Sequence, residues 1–283
     1  MTDKIIVGVT DASGSRRAVD WAVERARARS QSIELLSVVG GAVGMVGEGI
    51  VIDAALTDTE RLLTAEAERL TAGGVTVTTR VELGDPVAVL SAASEDAVLL
   101  VIGSDYRGPG QGPARGSHGI RLTAASHCPV VVVPDFDLDA DEERHGVVVG
   151  VDGSAVSEAA IAFAAAEADR LGEPLTAVIV WTPISAPRNA LMASPQAYRE
   201  GMEENARQAL ALSLAGLRGT YPDLRIEEAV AEGFPSVIIN ELAGSARLTV
   251  VGSRGHGAVR RFLLGSISHE VLQRLASVTA VVR

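Results

Sequence analysis

Unbroken apolar runs alternate with amphipathic stretches along this 283-residue chain, and the alternation is written twice. In the second half, Val147–Val151 is a continuous apolar run of strand length. Ser154 then stands where a helix needs an N-cap, and Ile161, Ala164, Ala165, Ala168 and Leu171 share one helical face. Leu175–Trp181 predicts the next strand, followed by an irregular stretch, a helix over about 197–218 and a third strand at 225–230. Gly233-Phe234-Pro235 opens another helix, with proline at a first-turn position where its missing N–H costs little. Leu248–Gly252 and Val278–Val282 read as strands four and five, separated by a glycine-rich loop and a helix from Ser266. Strands that are apolar throughout and alternate with helices predict a parallel sheet covered on both faces, reached by right-handed crossovers.

The first half repeats this plan. "IIVGVTDASGSRRAVDWA" parallels "VVVGVDGSAVSEAAIAFA", setting Gly8 on Gly150, Ser15 on Ser157 and Ala18 on Ala160. "VELGDPVAVL" parallels "VAEGFPSVII", and "VLLVIGS" parallels "LTVVGS". Between the halves, "PDFDLDADEERHG" breaks the apolar pattern with a proline and a run of acids, as a solvated linker would. The expected organisation is therefore α/β, with two tandem doubly wound five-stranded parallel-sheet domains at 1–135 and 147–283 joined by an acidic linker at 136–146.

Composition narrows the chemistry. Hydrophobic residues make up 47% of the chain, enough for two cores. The net charge of −11 disfavours nucleic acid and anionic membranes as partners. A single cysteine, Cys128, excludes an internal disulfide, and its place before Pro129 and strand five suits a small buried apolar role. With no basic-then-apolar leader and no long apolar run, the expected location is cytoplasmic. The only lysine, Lys4, is expected in a tail ahead of the first strand, which leaves no lysine for a phosphate loop or a Schiff base.

Candidate chemistry gathers after strand four of the second half, in "VVGSRGHGAVRRFLLGSISHEVL". In an open parallel sheet, ligands bind beyond the carboxyl ends of the strands where the winding reverses. Gly252, Gly255 and Gly257 would let a ligand approach the backbone. The helix from Gly265-Ser266 offers free N–H groups and a positive dipole end, and Ile267, Val271, Leu272 and Leu275 are expected to face the sheet. The Ser266 and Ser268 hydroxyls, with Arg254, His256, Arg260 and Arg261, favour a phosphate; the plain alternative is a turning loop with a solvated basic face. Asp152, ending strand one, stands at the same edge, where it can accept from a ribose or adenine, approach a metal, or support the helix cap beside Ser154. No G-x-x-x-x-G-K-[ST] loop occurs, and the glycines do not follow strand one as a dinucleotide fingerprint requires.

These residues resemble the universal stress protein family in its tandem two-domain form. That family's ATP-binding members carry an Asp at the end of strand one and G-2x-G-9x-G-[ST] after strand four; Asp152, Gly252, Gly255, Gly265 and Ser266 match every position. The resemblance implies an adenine nucleotide alpha hydrolase-like fold with strand order 3-2-1-4-5 and ATP as the ligand, with Mg2+ as a companion. Adenine would sit near Gly150, Asp152 and the backbone around Val180. Gly252, Ser253, Arg254, Gly255, His256 and Gly257, then Gly265, Ser266, Ile267 and Ser268, would wrap ribose and phosphates. It also implies that the two copies pack as a pseudo-dimer through their fifth strands, and that a homodimer and a regulatory protein partner are in prospect.

The first copy departs from the pattern. Thr10 takes the aspartate's place with Asp11 next to it, and Tyr106 replaces the second glycine, while Gly8, Gly103, Gly116 and Ser117 remain. Tyr106 fits either base stacking or filling of the phosphate space, and Pro109 and Pro113 stiffen the loop. No nucleophile and base are arranged together. His256 is the best catalytic candidate, and His118, His127, His145 and His269 stand singly. The expectation is a nucleotide-regulated binding module; a slow ATPase or nucleotide-transferring enzyme, and a structural dimerisation protein, are the alternatives.

Overall fold

The computed structural model describes residues 3–40, 48–104, 117–135, 144–183, 195–255 and 264–283, and the chain divides into two units, Met1–Phe136 and Asp137–Arg283. In the first unit the order is β1 (Lys4–Gly8), α1 (Ser13–Arg29), β2 (Ser32–Val39), α2 (Glu48–Ala72), β3 (Val77–Leu83), α3 (Pro86–Ala93), β4 (Leu99–Gly103), α4 (Ser117–Ala125) and β5 (Val130–Val133). The second runs β6 (Val147–Val151), α5 (Ala155–Leu171), β7 (Leu175–Trp181), α6 (Pro195–Leu214), α7 (Leu217–Thr220), β8 (Ile226–Glu232), α8 (Pro235–Ala243), β9 (Leu248–Gly252), α9 (Ser266–Arg274) and β10 (Val278–Val282). Strand order is β3-β2-β1-β4-β5 in one sheet and β8-β7-β6-β9-β10 in the other, with parallel pairing in both. Each is the expected doubly wound α/β sheet, and the winding reverses at β1 and at β6.

The central strands are buried on both faces. Ile5, Ile6, Val7, Leu99, Leu100 and Val101 are fully buried in one sheet, and Val147, Val149, Leu248 and Val250 nearly so in the other. Burying each such side chain contributes roughly 1.5–3 kcal/mol, so the apolar runs decide the topology. Gly8 and Gly150 leave room for neighbouring side chains: a Cβ on Gly8 would lie 3.1 Å from Ile102 Cγ2 on β4 and 3.4 Å from Leu90 Cδ1 on α3, and one on Gly150 only 2.8 Å from Ile239 Cδ1 on α8. The strand-to-helix junctions follow local chemistry. Ser154 caps α5 by accepting from Ser157 N at 3.2 Å, Gly172 closes it at φ +66°, and α3 and α8 both begin at a proline.

Several expectations need correcting. Lys4 is not in a tail: it begins β1 and pairs with Glu34 on β2 at 2.5 Å, and Arg80 on β3 approaches the other Glu34 oxygen at 2.7 Å. Glu34 is mostly buried, and two cations offset its desolvation. The helix expected over 197–218 is two helices, α6 and the short α7, and the third strand extends to Glu232. Residues 136–143 of the linker lie outside the described residues, but both flanks are anchored. Ser13 Oγ donates to Asp135 Oδ2 at 2.6 Å, and Arg144 donates to the carbonyls of Ala243 and Ala276. Cys128 is buried. Among the described residues no helix is long and apolar enough to cross a membrane.

Candidate functional site

The second sheet brings the strand-one acid and the strand-four glycines together. Asp152 follows β6, and its N–H donates to Ser157 Oγ at 3.2 Å, which ties the strand end to the first turn of α5. Its Oδ1 accepts from Ser154 N at 3.0 Å and Ser154 Oγ at 2.7 Å, so the cap-supporting role anticipated for it is present. Gly153 completes the turn at φ +79°, a conformation that favours glycine. The other oxygen, Oδ2, lies against the loop after β9: a Cβ added to Gly255 would stand 2.2 Å from it. With Oδ1 tethered, the carboxylate has little freedom to withdraw, so glycine at 255 is what lets the two segments meet.

The loop itself is closed by its own backbone. Ser253 N donates to Val282 O on β10 at 2.6 Å, and Gly265 N donates back to Ser253 O at 2.8 Å. A Cβ on Gly265 would sit 3.4 Å from both Arg254 Cα and Ser253 O, so the far end of the loop lands on its start. Gly252 lies under Val156 of α5, whose Cγ1 would be 3.0 Å from an added Cβ. Ser253 is 2% exposed, and its hydroxyl has no hydrogen-bond partner among the described residues. An unpaired buried hydroxyl costs about 1–3 kcal/mol, which a ligand acceptor or a water would recover. Ser266 is exposed at the start of α9, and Arg254 is half-buried.

Two of the site residues differ from expectation. Ile267 does not face the sheet: it is 37% exposed, while Val271, Leu272 and Leu275 are buried. Ser268 is 2% exposed and turns inward, its hydroxyl donating weakly to Ser253 O at 3.3 Å. Val180, on β7, falls beside Asp152 because Gly150 pairs with Val178 and Val151 with Ile179. His256 and Gly257, together with Arg260 and Arg261, lie outside the described residues. Sequence reasoning left Val156 and Ser157 without roles; the alignment of Ser15 on Ser157 was the available signal for the latter.

The first domain uses matching positions differently. Thr10 N donates to Ser15 Oγ at 2.9 Å, and Thr10 Oγ1 accepts from Ala12 N at 3.3 Å, copying the turn but with no second oxygen. Asp11 is exposed beside it. Gly103 is covered by main chain, since a Cβ there would lie 2.3 Å from Gly14 O and 2.6 Å from Ser15 N. Tyr106, Pro109, Pro113 and Gly116 lie outside the described residues, and Ser117 begins α4.

A model of the Universal stress protein family matches residues 1–134 and 143–283. A universal stress protein of Mycolicibacterium smegmatis is 33% identical over 288 residues, spanning 99% of this chain and 96% of that protein. One of Mycobacterium tuberculosis is 32% identical over 296 residues with the same coverage. Among solved structures, a universal stress protein from Archaeoglobus fulgidus superposes with a TM-score of 0.72 at 20% identity, over 100% of this chain and 99% of that one. One from Pseudomonas aeruginosa gives 0.65 at 18% identity, over 99% and 93%. The duplicated sheet, its winding point and these matches agree, and the chain belongs to the universal stress protein family.

Proposed function

We propose that the second domain binds ATP and that the bound nucleotide regulates contacts with other proteins. The observation that carries this reading is the placement of Asp152 Oδ2 against Gly255, which joins an acceptor at the switch point to a glycine loop ending at a helix N-terminus. The buried Ser253 hydroxyl, with no hydrogen-bond partner among the described residues, supports it. Gly150, Asp152 and Val180 would hold adenine and ribose. Gly252, Ser253, Arg254, Gly255, His256 and Gly257 would surround ribose and phosphates with Gly265, Ser266 and Ile267, and Mg2+ would accompany the phosphates. Ser268 acts from beneath by fastening the loop. The partners in this reading are a second copy of the chain and a regulatory protein, in the cytoplasm.

Acid extraction of freshly purified protein, chromatography for ATP and titration calorimetry with Mg-ATP test the reading. One ATP per chain is expected, without ADP release above the buffer rate. Turnover abolished by Asp152→Ala would establish the ATPase alternative instead. Absence of both extracted nucleotide and measurable binding would leave a structural dimerisation protein.

A further inference from the structure

Two apolar side chains stand in the open at the ligand edge of the second sheet. Phe234, the N-cap residue of α8, is 70% exposed, and Ile267, in the first turn of α9, is 37% exposed. Both are held by structure. Gly233 N donates to Trp181 O at 3.0 Å, and Thr182 Oγ1 donates to Gly233 O at 2.7 Å, so the turn that presents Phe234 is fastened to the end of β7. Gly233 adopts φ +154° to make that turn. The first turn of α8 is joined to the middle of α9 by a hydrogen bond from Ser236 Oγ to Glu270 Oε2.

This arrangement is particular to the second domain. Phenylalanine is a poor N-cap and makes no side-chain cap bond; its counterpart Asp85 caps α3 through Ala88 N at 2.9 Å. The counterparts of Ser236, Ile267 and Glu270 are Val87, His118 and Arg121, so both the exposed apolar pair and its fastening are missing from the first copy. Adjacent strands are spaced by about 4.8 Å, which puts the end of β8 roughly 10 Å from the end of β6. That is the reach of a nucleoside whose ribose lies by Asp152 and whose base crosses β7 past Val180.

We propose that Phe234 forms an apolar wall for the flat face of the nucleotide's base, with Ile267 continuing that wall towards the ribose. The inference rests on the nucleotide reading of the Asp152–Gly255 site. Stacking reads the π-face of the base, so Phe234 adds affinity for a nucleoside triphosphate over its bare phosphate chain.

The test compares wild type, Phe234→Ala, Phe234→Trp and Gly255→Val with Mg-ATP and with inorganic tripolyphosphate as a base-free probe. Because Phe234 is exposed, its substitution leaves the core intact. Phe234→Ala is expected to weaken ATP about tenfold and leave tripolyphosphate unchanged. Phe234→Trp is expected to restore affinity, with fluorescence quenched by ATP and not by tripolyphosphate beyond the wild-type response of Trp21 and Trp181. If Phe234→Ala binds ATP as wild type does while Gly255→Val does not, the stacking proposal falls and the nucleotide reading stands. Equal losses for ATP and tripolyphosphate would also overturn it. A wild type that binds no ATP overturns both.

Discussion

In the two domains, the glycine that ends strand four is kept for different reasons. Gly103 is needed because helix α1 lies directly on it: the Gly14 carbonyl would be 2.3 Å from an added Cβ, and Gly14 in turn would meet Ser104 O at 2.7 Å. Two glycines let two backbones touch. In the second domain Val156 replaces Gly14, and a Cβ on Gly252 would meet its Cγ1 at 3.0 Å and Arg254 O at 3.2 Å, with the main chain of Val156 no nearer than 3.6 Å. The helix stands further off, and the loop leaving β9 carries Gly255 to Asp152. One copy fills its strand-four edge with main chain and with Asp135 bonded to Ser13; the other uses that edge to hold a carboxylate. A shared motif residue is thus no evidence of a shared role.

Gly103→Ala separates the two glycines most strongly. Backbone atoms at under 3 Å cannot rotate away, so the first unit is expected to lose about 3 kcal/mol, the upper range for overpacking. Gly252→Ala meets a side chain at 3.0 Å and a carbonyl oxygen at 3.2 Å, contacts that yield by a few tenths of an ångström, and is expected to cost about 1 kcal/mol. Denaturant midpoints measure both, and ATP stoichiometry should not change with Gly103→Ala. Equal costs at the two glycines would mean that the main-chain contact in the first domain is not tight.

Gly255→Val comes next. Its side chain would displace the Asp152 carboxylate from a position fixed by Ser154, and ATP affinity should fall roughly 100-fold, equivalent to about 2.7 kcal/mol. The melting temperature without nucleotide should stay within a few degrees, because no core side chain is touched. Unchanged ATP binding in this variant would remove the glycine loop from the site.

How much of this was legible in the sequence follows from the range of the interactions involved. Continuous apolar runs announced parallel strands, and Ser154 and Pro235 announced helix starts, because those signals act over a few residues. The ion pairs at Glu34 depend on the β1-β2-β3 register, which no local pattern contains. Ile267 shares a helical face with Val271, yet it sits in the first turn of α9, beyond the sheet that buries the later turns. The Gly14–Gly103 contact joins residues far apart in sequence, so the departures at Thr10 and Tyr106 drew attention while the closer packing stayed hidden. In the candidate site, the glycine spacing and Asp152 could be read directly. The Oδ1 tether, the buried Ser253 hydroxyl and the exposed Phe234 could not, since each depends on what the fold places opposite.

A smaller effect separates the helix starts. Ser154→Ala removes the cap of α5 and should cost about 1 kcal/mol. Ala12, the matching N-cap of α1, makes no side-chain bond, so Ala12→Ser should gain several tenths of a kcal/mol. Thermal denaturation of each variant measures the pair, and equal and opposite shifts would mean that Asp135 contributes nothing to the start of α1.

The smallest expected effect is the most discriminating. Thr10→Asp restores the acid that the first domain lacks, in a turn already shaped for it: Ser15 Oγ accepts from the residue-10 N–H, and Ala12 N is placed to donate to the side chain. The substituted carboxylate should adopt the tether that Asp152 uses, with stability changed by less than about 0.5 kcal/mol. It should still recruit no second nucleotide, because the Gly14 main chain covers Gly103 and the first-domain sequence has Tyr106 at the position that aligns with Gly255. Calorimetry should return one ATP per chain before and after the change. Two sites in the variant would show that the acid alone separates the copies, and that the contact between α1 and β4 is a consequence of losing the nucleotide rather than a barrier to it.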